Sequence, residues 1–207
     1  MEAMQAADPP HGARRDDLGQ PGFDMPADQW RALLERVAAN EPGALEQLYD
    51  LASHRLYGFA LWSTGSAPDA ADIVSEVFIR VVEQGPRLHR VHNPRAWLLT
   101  VARRLALDLA RERQRRPSEP LDAAVGRDGD ALLVAPPTDP DRALDAQRAA
   151  AMLARLPAGQ RQVVYLRHHA DCSYAAIGRI LGIPTFTAAS RYRLAIRRLR
   201  RLLESAP

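Results

Sequence analysis

The sequence predicts an all-α protein made of two small helical domains joined by a flexible linker. Three observations carry this: apolar residues recur at helical spacing, no alternating stretch reaches strand length, and a proline-rich acidic segment interrupts the periodicity near the middle. The expected divisions are a disordered tail over 1–27, a helical bundle over 28–116, the linker over 117–141 and a second helical domain over 142–207.

Residues 1–27 are rich in Pro, Gly, Asp and Arg and lack an apolar period. Beyond them, Ile73, Val74, Val77, Phe78, Val81 and Val82 form one helical stripe, with Asp72, Ser75, Glu76, Arg80 and Glu83 largely on the opposite side. Gly85-Pro86 should stop that helix, and the stretch to Pro94 reads as a loop. Leu98, Ala102, Leu105 and Leu109 then give a core line in a helix from about Pro94 to Arg115. In the linker, Glu119, Asp122, Asp128, Asp130, Asp139 and Asp141 face Arg127 alone, so the segment is strongly negative.

The second domain carries the grammar of a helix-turn-helix. Ser173 can cap a helix Tyr174–Leu181, Gly182 can close it in the left-handed conformation, and Thr185 can cap the next helix. Ile177, Leu181, Ile183, Ala188, Ala195, Leu199 and Leu202 would fill the angle between the two. The second helix also holds Arg191, Arg193, Arg197, Arg198, Arg200 and Arg201 with no acidic residue among them. That density suits phosphate contact and a seat in the major groove. A solvated basic helix end, where arginine favours the macrodipole, is the lesser reading, because the turn chemistry and the charge face agree.

With 207 residues, 46% hydrophobic, and a formal charge of +3, composition alone says little about nucleic acid. All of the basic residues are arginine, which an arginine-preferring coding sequence also produces, so the clustering is what counts. No membrane-spanning run or signal peptide is visible, and a cytoplasmic location is expected. The lone Cys172 cannot form an internal disulfide and reads as a small structural residue. The adjacent His168 and His169 point about 100° apart on a helix, which argues against shared metal ligation. No paired carboxylates, nucleophile with base, metal cluster or phosphate-cradling glycine loop emerges, so neither catalysis nor a cofactor is expected.

The run Asp69-Ala70-Ala71-Asp72-Ile73-Val74-Ser75-Glu76-Val77-Phe78 resembles the region 2 pattern of the extracytoplasmic-function (ECF) sigma factors of bacterial RNA polymerase. Asp72, Glu76 and Phe78 match, whereas Ala71 and Ser75 replace the usual Glu and Gln. Ala96-Trp97-Leu98-Leu99-Thr100-Val101-Ala102-Arg103-Arg104-Leu105-Ala106-Leu107-Asp108, followed by Arg111, is similar to the family's next helix, with Arg104 where Asn is common. Leu156-Pro157, Arg161, Ile177-Gly178, Leu181-Gly182-Ile183, Thr187, Ser190-Arg191 and Leu199-Arg200 resemble region 4. The resemblance runs from about Leu45 to Leu203, and the absence of a middle domain is the mark of the ECF class.

The resemblance implies a protein without catalysis of its own that joins core RNA polymerase to promoter DNA and is commonly held by an anti-sigma factor. Asp72, Ser75, Glu76 and Phe78 would dock on polymerase. His89, Arg90, Asn93, Arg95, Arg103, Arg104 and Arg111 would face the minus-10 element, with a loop able to receive an unstacked base. Trp97 invites a stacking role, although its family position favours core packing. Thr185, Thr187, Ser190, Arg191, Arg193 and Arg197 would face the minus-35 element, while Phe186, Ala189 and Leu194 depart from the family's usual Gly, Lys or Arg, and Arg. The acidic linker would thread toward the active-site and exit channel, where negative charge suits a basic channel. Two other readings stay open: a dimeric helix-turn-helix regulator acting without polymerase, and a degenerate sigma-like module that binds protein.

Overall fold

The computed structural model describes residues 25–115 and 151–204, all helical or connecting. The expected linker 117–141 and residues 1–24 of the expected tail lie outside the described residues.

Helix α1 (Ala27–Ala38) buries Trp30, Leu33, Leu34 and Val37, a spacing of three, one and three that keeps them on one face. Helix α2 (Ala44–Thr64) crosses the bundle through Leu48, Ala52, Leu56 and Phe59 and ends at Gly65, whose φ of 76° suits glycine. Helix α3 (Ala67–Gln84) starts from Ser66, whose Oγ accepts the Asp69 amide at 3.4 Å. It stops at Gly85, as the sequence requires. Its core stripe is Ile73, Val74, Val77, Phe78 and Val81. Val82, expected in that stripe, is 60% exposed, because it lies about 100° around the helix from Val81, which takes the core position.

The stretch expected as a loop is partly ordered, with Gly85–Arg90 forming a 3-10 turn that buries Leu88. Helix α4 (Pro94–Arg115) follows, its start capped by Asn93, whose Oδ1 accepts the Ala96 amide at 3.0 Å. Leu98, Leu99, Ala102 and Ala106 are buried, whereas Leu105 and Leu109 are half-buried. An ion pair between Arg113 and Asp69 at 2.7 Å ties the end of α4 to the start of α3.

Residues 151–154 are helical, and Pro157 then opens helix α5 (Ala158–His168). Helix α6 (Tyr174–Leu181) is capped by Ser173, whose Oγ accepts the Ala176 amide at 3.2 Å, and it ends at Gly182 with φ 59° and ψ 40°. Gly178 is required for a different reason: a Cβ there would meet the Ile183 carbonyl oxygen at 2.7 Å. Helix α7 (Thr185–Glu204) completes the helix-turn-helix. Thr185 is its first helical residue rather than its cap, since the Pro184 carbonyl already accepts the Ala188 amide at 3.1 Å. Ile177, Leu181, Ala188 and Ala195 fill the angle between α6 and α7.

The two helical domains are also packed on each other, α2 against α5 and α4 against α6. Tyr165 lies at the centre, 2% exposed, its Oη donating to the Arg55 carbonyl at 2.9 Å. Burial pushes its phenol well above the usual tyrosine range. Trp62 meets the ring edge-on at 5.3 Å and His169 stacks on it at 5.0 Å. The close approach depends on Gly58, where a Cβ would meet the Tyr165 hydroxyl at 2.5 Å. Arg161 bridges the seam, donating from Nε to the Trp62 carbonyl at 2.9 Å and from Nη1 to the Leu156 carbonyl at 2.8 Å, while Gln162 donates to Ser63 Oγ at 3.1 Å.

Candidate nucleic-acid and polymerase interface

On α3, Asp72 and Ser75 are exposed and Glu76 is partly so. Arg80 bridges Glu76 at 2.8 Å and Glu83 at 3.3 Å, so the acidic row is partly neutralised along its own helix. Phe78 does not share that surface. It is 8% exposed and packs on Tyr49 with ring centroids 4.8 Å apart, so it supports the face from beneath. Ile79, Val82 and Tyr49 are exposed instead, and Ile79 falls within about 60° of Asp72, Glu76 and Glu83 around the helix. The surface is therefore an acidic row bordered by apolar side chains. Ile79 was detectable from its position three residues after Glu76.

Behind the 3-10 turn lies an open cavity of about 440 Å³ lined by Gln84, Arg87, Arg90, Val91, His92, Asn93 and Trp97. Trp97 is half-buried, so one part packs on the core and another forms the cavity wall. The Asn93 side-chain oxygen is engaged in capping α4. His89 is not part of the lining; its Nδ1 bonds the Pro86 carbonyl, which fixes the turn.

The expected arginines of α4 fall into two groups. Arg104 is exposed, and Arg111 is exposed but paired with Asp108 at 2.9 Å. Arg95 and Arg103 point into the seam between domains. Arg95 donates to the Ala170 carbonyl at 3.2 Å, and the Arg103 guanidinium lies beside Gly182. Burial, with the neighbouring charges of Arg191, Arg104 and Arg111, lowers the Arg103 pKa.

Helix α7 divides its arginines by face. At about 100° per residue, Ser190, Arg193, Arg197 and Arg200 all fall within roughly 40° of Phe186, opposite the buried Ala188 and Ala195. Arg193, Arg197 and Arg200 are exposed and have no acidic partner among the described residues. Arg191 departs from that row: its guanidinium lies against Gly159 of α5 and near Arg103. Thr185 is exposed and Thr187 half-buried at the helix start.

Residues 48–116 match the family model for Sigma-70 region 2, and residues 152–201 match that for Sigma-70, region 4. The ECF RNA polymerase sigma factor SigL of Mycobacterium tuberculosis is 32% identical over 174 residues, covering 84% of this chain and 96% of SigL. The chain belongs to the ECF sigma factors. The sigma factor is also 30% identical to BldN of Streptomyces coelicolor over 188 residues, covering 89% of this chain and 69% of BldN. Among solved structures it resembles RpoE of Bartonella quintana in complex with the anti-sigma factor NepR, with a TM-score of 0.61 at 25% identity, covering 80% of this chain and 99% of that one. It shares the fold of CnrH, solved in complex with the cytosolic domain of CnrY, with a TM-score of 0.58 at 20% identity, covering 88% of this chain and all of that one.

In this sigma factor the region 2 match takes in the acidic row, the cavity and α4, and the region 4 match takes in α5, α6 and most of α7. Helix α1 lies outside both matches, yet its Trp30 is fully buried in the region 2 core. Cys172 is half-buried and burial raises its thiol pKa, the opposite of what a reactive thiolate needs. His168 bonds the Tyr192 hydroxyl at 2.9 Å while His169 turns to Trp62, so the two rings part as their spacing requires. No group of His, Cys, Asp or Glu among the described residues is arranged to hold a metal ion, and no described helix is long and apolar enough to cross a membrane.

Proposed function

We propose that this sigma factor works in the cytoplasm and performs no catalysis of its own. It binds core RNA polymerase through the α3 face, reads a two-part promoter, helps to melt the downstream part and is released after initiation. Asp72, Glu76, Ile79 and Val82 form the polymerase contact, with Ser75 at its edge and Phe78 holding it from below. The cavity walled by Trp97, Arg90 and Asn93 receives an unstacked base of the minus-10 element, and Arg104 and Arg111 hold phosphates beside it. Ser190, Arg193 and Arg197 enter the major groove at the minus-35 element, with Thr185 and Thr187 at its entrance.

The observation that carries this reading is the clean division of α7 into a buried seam and an exposed arginine row, in a chain that holds both sigma regions. Arg95 and Arg103 are engaged by the second domain, so their use on DNA requires region 4 to swing away from region 2, while Arg191 lies against Gly159 of its own domain with Arg103 nearby. The likeness to RpoE, solved with an anti-sigma factor, supports a protein of that class as a further partner.

Run-off transcription from genomic fragments with core polymerase plus this protein tests the reading. Discrete transcripts are expected, and Asp72→Arg with Glu76→Arg should abolish them by weakening core affinity at least tenfold while the fold, followed by circular dichroism, is unchanged. A wild-type protein that never associates with core polymerase would sink the proposal.

A further inference from the structure

Phe186 is the most exposed large apolar side chain of the described residues, at 74%. It sits in the first turn of α7, heading the row that continues through Ser190, Arg193 and Arg197. Among the described residues it has no ring or ion partner, and it contributes nothing to the core. Such exposure is unfavourable in water and is recovered only when the ring is covered.

The chemistry around the ring narrows what covers it. From Thr185 to Ser190 the helix carries no charge, whereas the arginines follow from Arg191 onward. A recognition helix meets base edges with its N-terminal residues, and its later basic residues hold phosphates. A phenyl ring cannot hydrogen-bond a guanine or adenine edge. The apolar group that the major groove offers is the C5-methyl of thymine. Ala189, one turn on and half-buried, adds no bulk or charge between the ring and the groove floor.

We propose that Phe186 is a specificity-determining residue that presses on the C5-methyl of a thymine in the upstream promoter element. The proposal rests on α7 being the helix that faces that element.

The test uses holoenzyme assembled from core polymerase and the full chain, selecting from duplexes randomised over the upstream element. The wild type should enrich thymine at one position, and Phe186→Ala should lose that preference while keeping the others. Replacing that thymine by deoxyuridine, which removes only the methyl, should weaken wild-type binding about fourfold, the worth of one buried methyl. The same replacement should leave Phe186→Ala binding unchanged. The proposal is overturned if Phe186→Ala keeps the thymine preference, or if deoxyuridine costs both proteins equally. It also falls if the variant loses core affinity instead of base preference, which would assign the ring to polymerase. A wild type that enriches no upstream sequence at all would remove α7 from the DNA face, and this proposal with it.

Discussion

Helices α4 and α7 are both rich in arginine, yet they present it in opposite ways. On α4, Arg95 and Arg103 are engaged by the second domain, while Arg111 and Arg113 pair with Asp108 and Asp69. On α7, Arg193, Arg197 and Arg200 stand in solvent with no acidic partner among the described residues. Six arginines on each helix are therefore unequally available. For Arg95 and Arg103 what decides it is the second domain packed over them at the seam built around Tyr165, and for Arg111 and Arg113 it is an acidic neighbour.

The strongest way to break that contrast is Gly58→Leu. The new side chain would drive into the Tyr165 ring at a contact that already excludes a Cβ, and overpacking of this kind costs about 1–3 kcal/mol. Leucine also favours helix more than glycine does, so α2 itself should hold. The domains should part, seen as a larger radius of gyration in small-angle scattering, and duplex affinity should rise as Arg95 and Arg103 are freed. An unchanged radius would show that the seam tolerates the intrusion and that α4 is covered for some other reason.

A gentler way is acidification. Burial holds the imidazole of His169 below the ordinary value of 6.5, and the charges of Arg55 on α2 and His168 on α5 push the same way. His168 and His54 are lowered too, also mainly by burial, with Asp171 opposing at His168. A base with a depressed folded pKa binds fewer protons folded than unfolded, so its contribution is present above about 6.5 and is lost as pH falls from there through the lower folded value. Urea midpoints should drop between pH 7.5 and 5.5, and His169→Gln should flatten that slope. A midpoint independent of pH would remove the histidines from the seam's energetics.

The smallest expected effect sharpens the comparison to one atom. Tyr165→Phe keeps the ring packing and deletes only the hydrogen bond to the Arg55 carbonyl, so stability should fall by about 1 kcal/mol in urea titration. No measurable change would mean that ring packing alone holds the domains.

Much of the site was legible because its signals are local. Ser173, Gly182 and the Gly85-Pro86 stop act within a few residues of themselves, through one amide, one left-handed dihedral or one missing donor. The facing of α7 follows from spacing alone. Phe78 and Arg191 were less legible. Each lies at a position the family uses, but Phe78 is drawn inward by Tyr49, and Arg191 is drawn toward Gly159, where the absence of a side chain leaves room for a guanidinium. The 3-10 turn at Gly85–Arg90 escaped detection because a single buried residue, Leu88, has no period to reveal it.

The amino-acid order by itself determined where α4 and α6 begin, most of the stripe that α3 buries and where positive charge accumulates, because those depend on neighbours within one or two turns. Only the tertiary structure decided which charged face is open and which is covered. Tyr165 and Arg55 are 110 residues apart, and a contact at that distance leaves no repeating pattern in the chain. It exists because a glycine on one helix makes a hollow the size of a phenol on another.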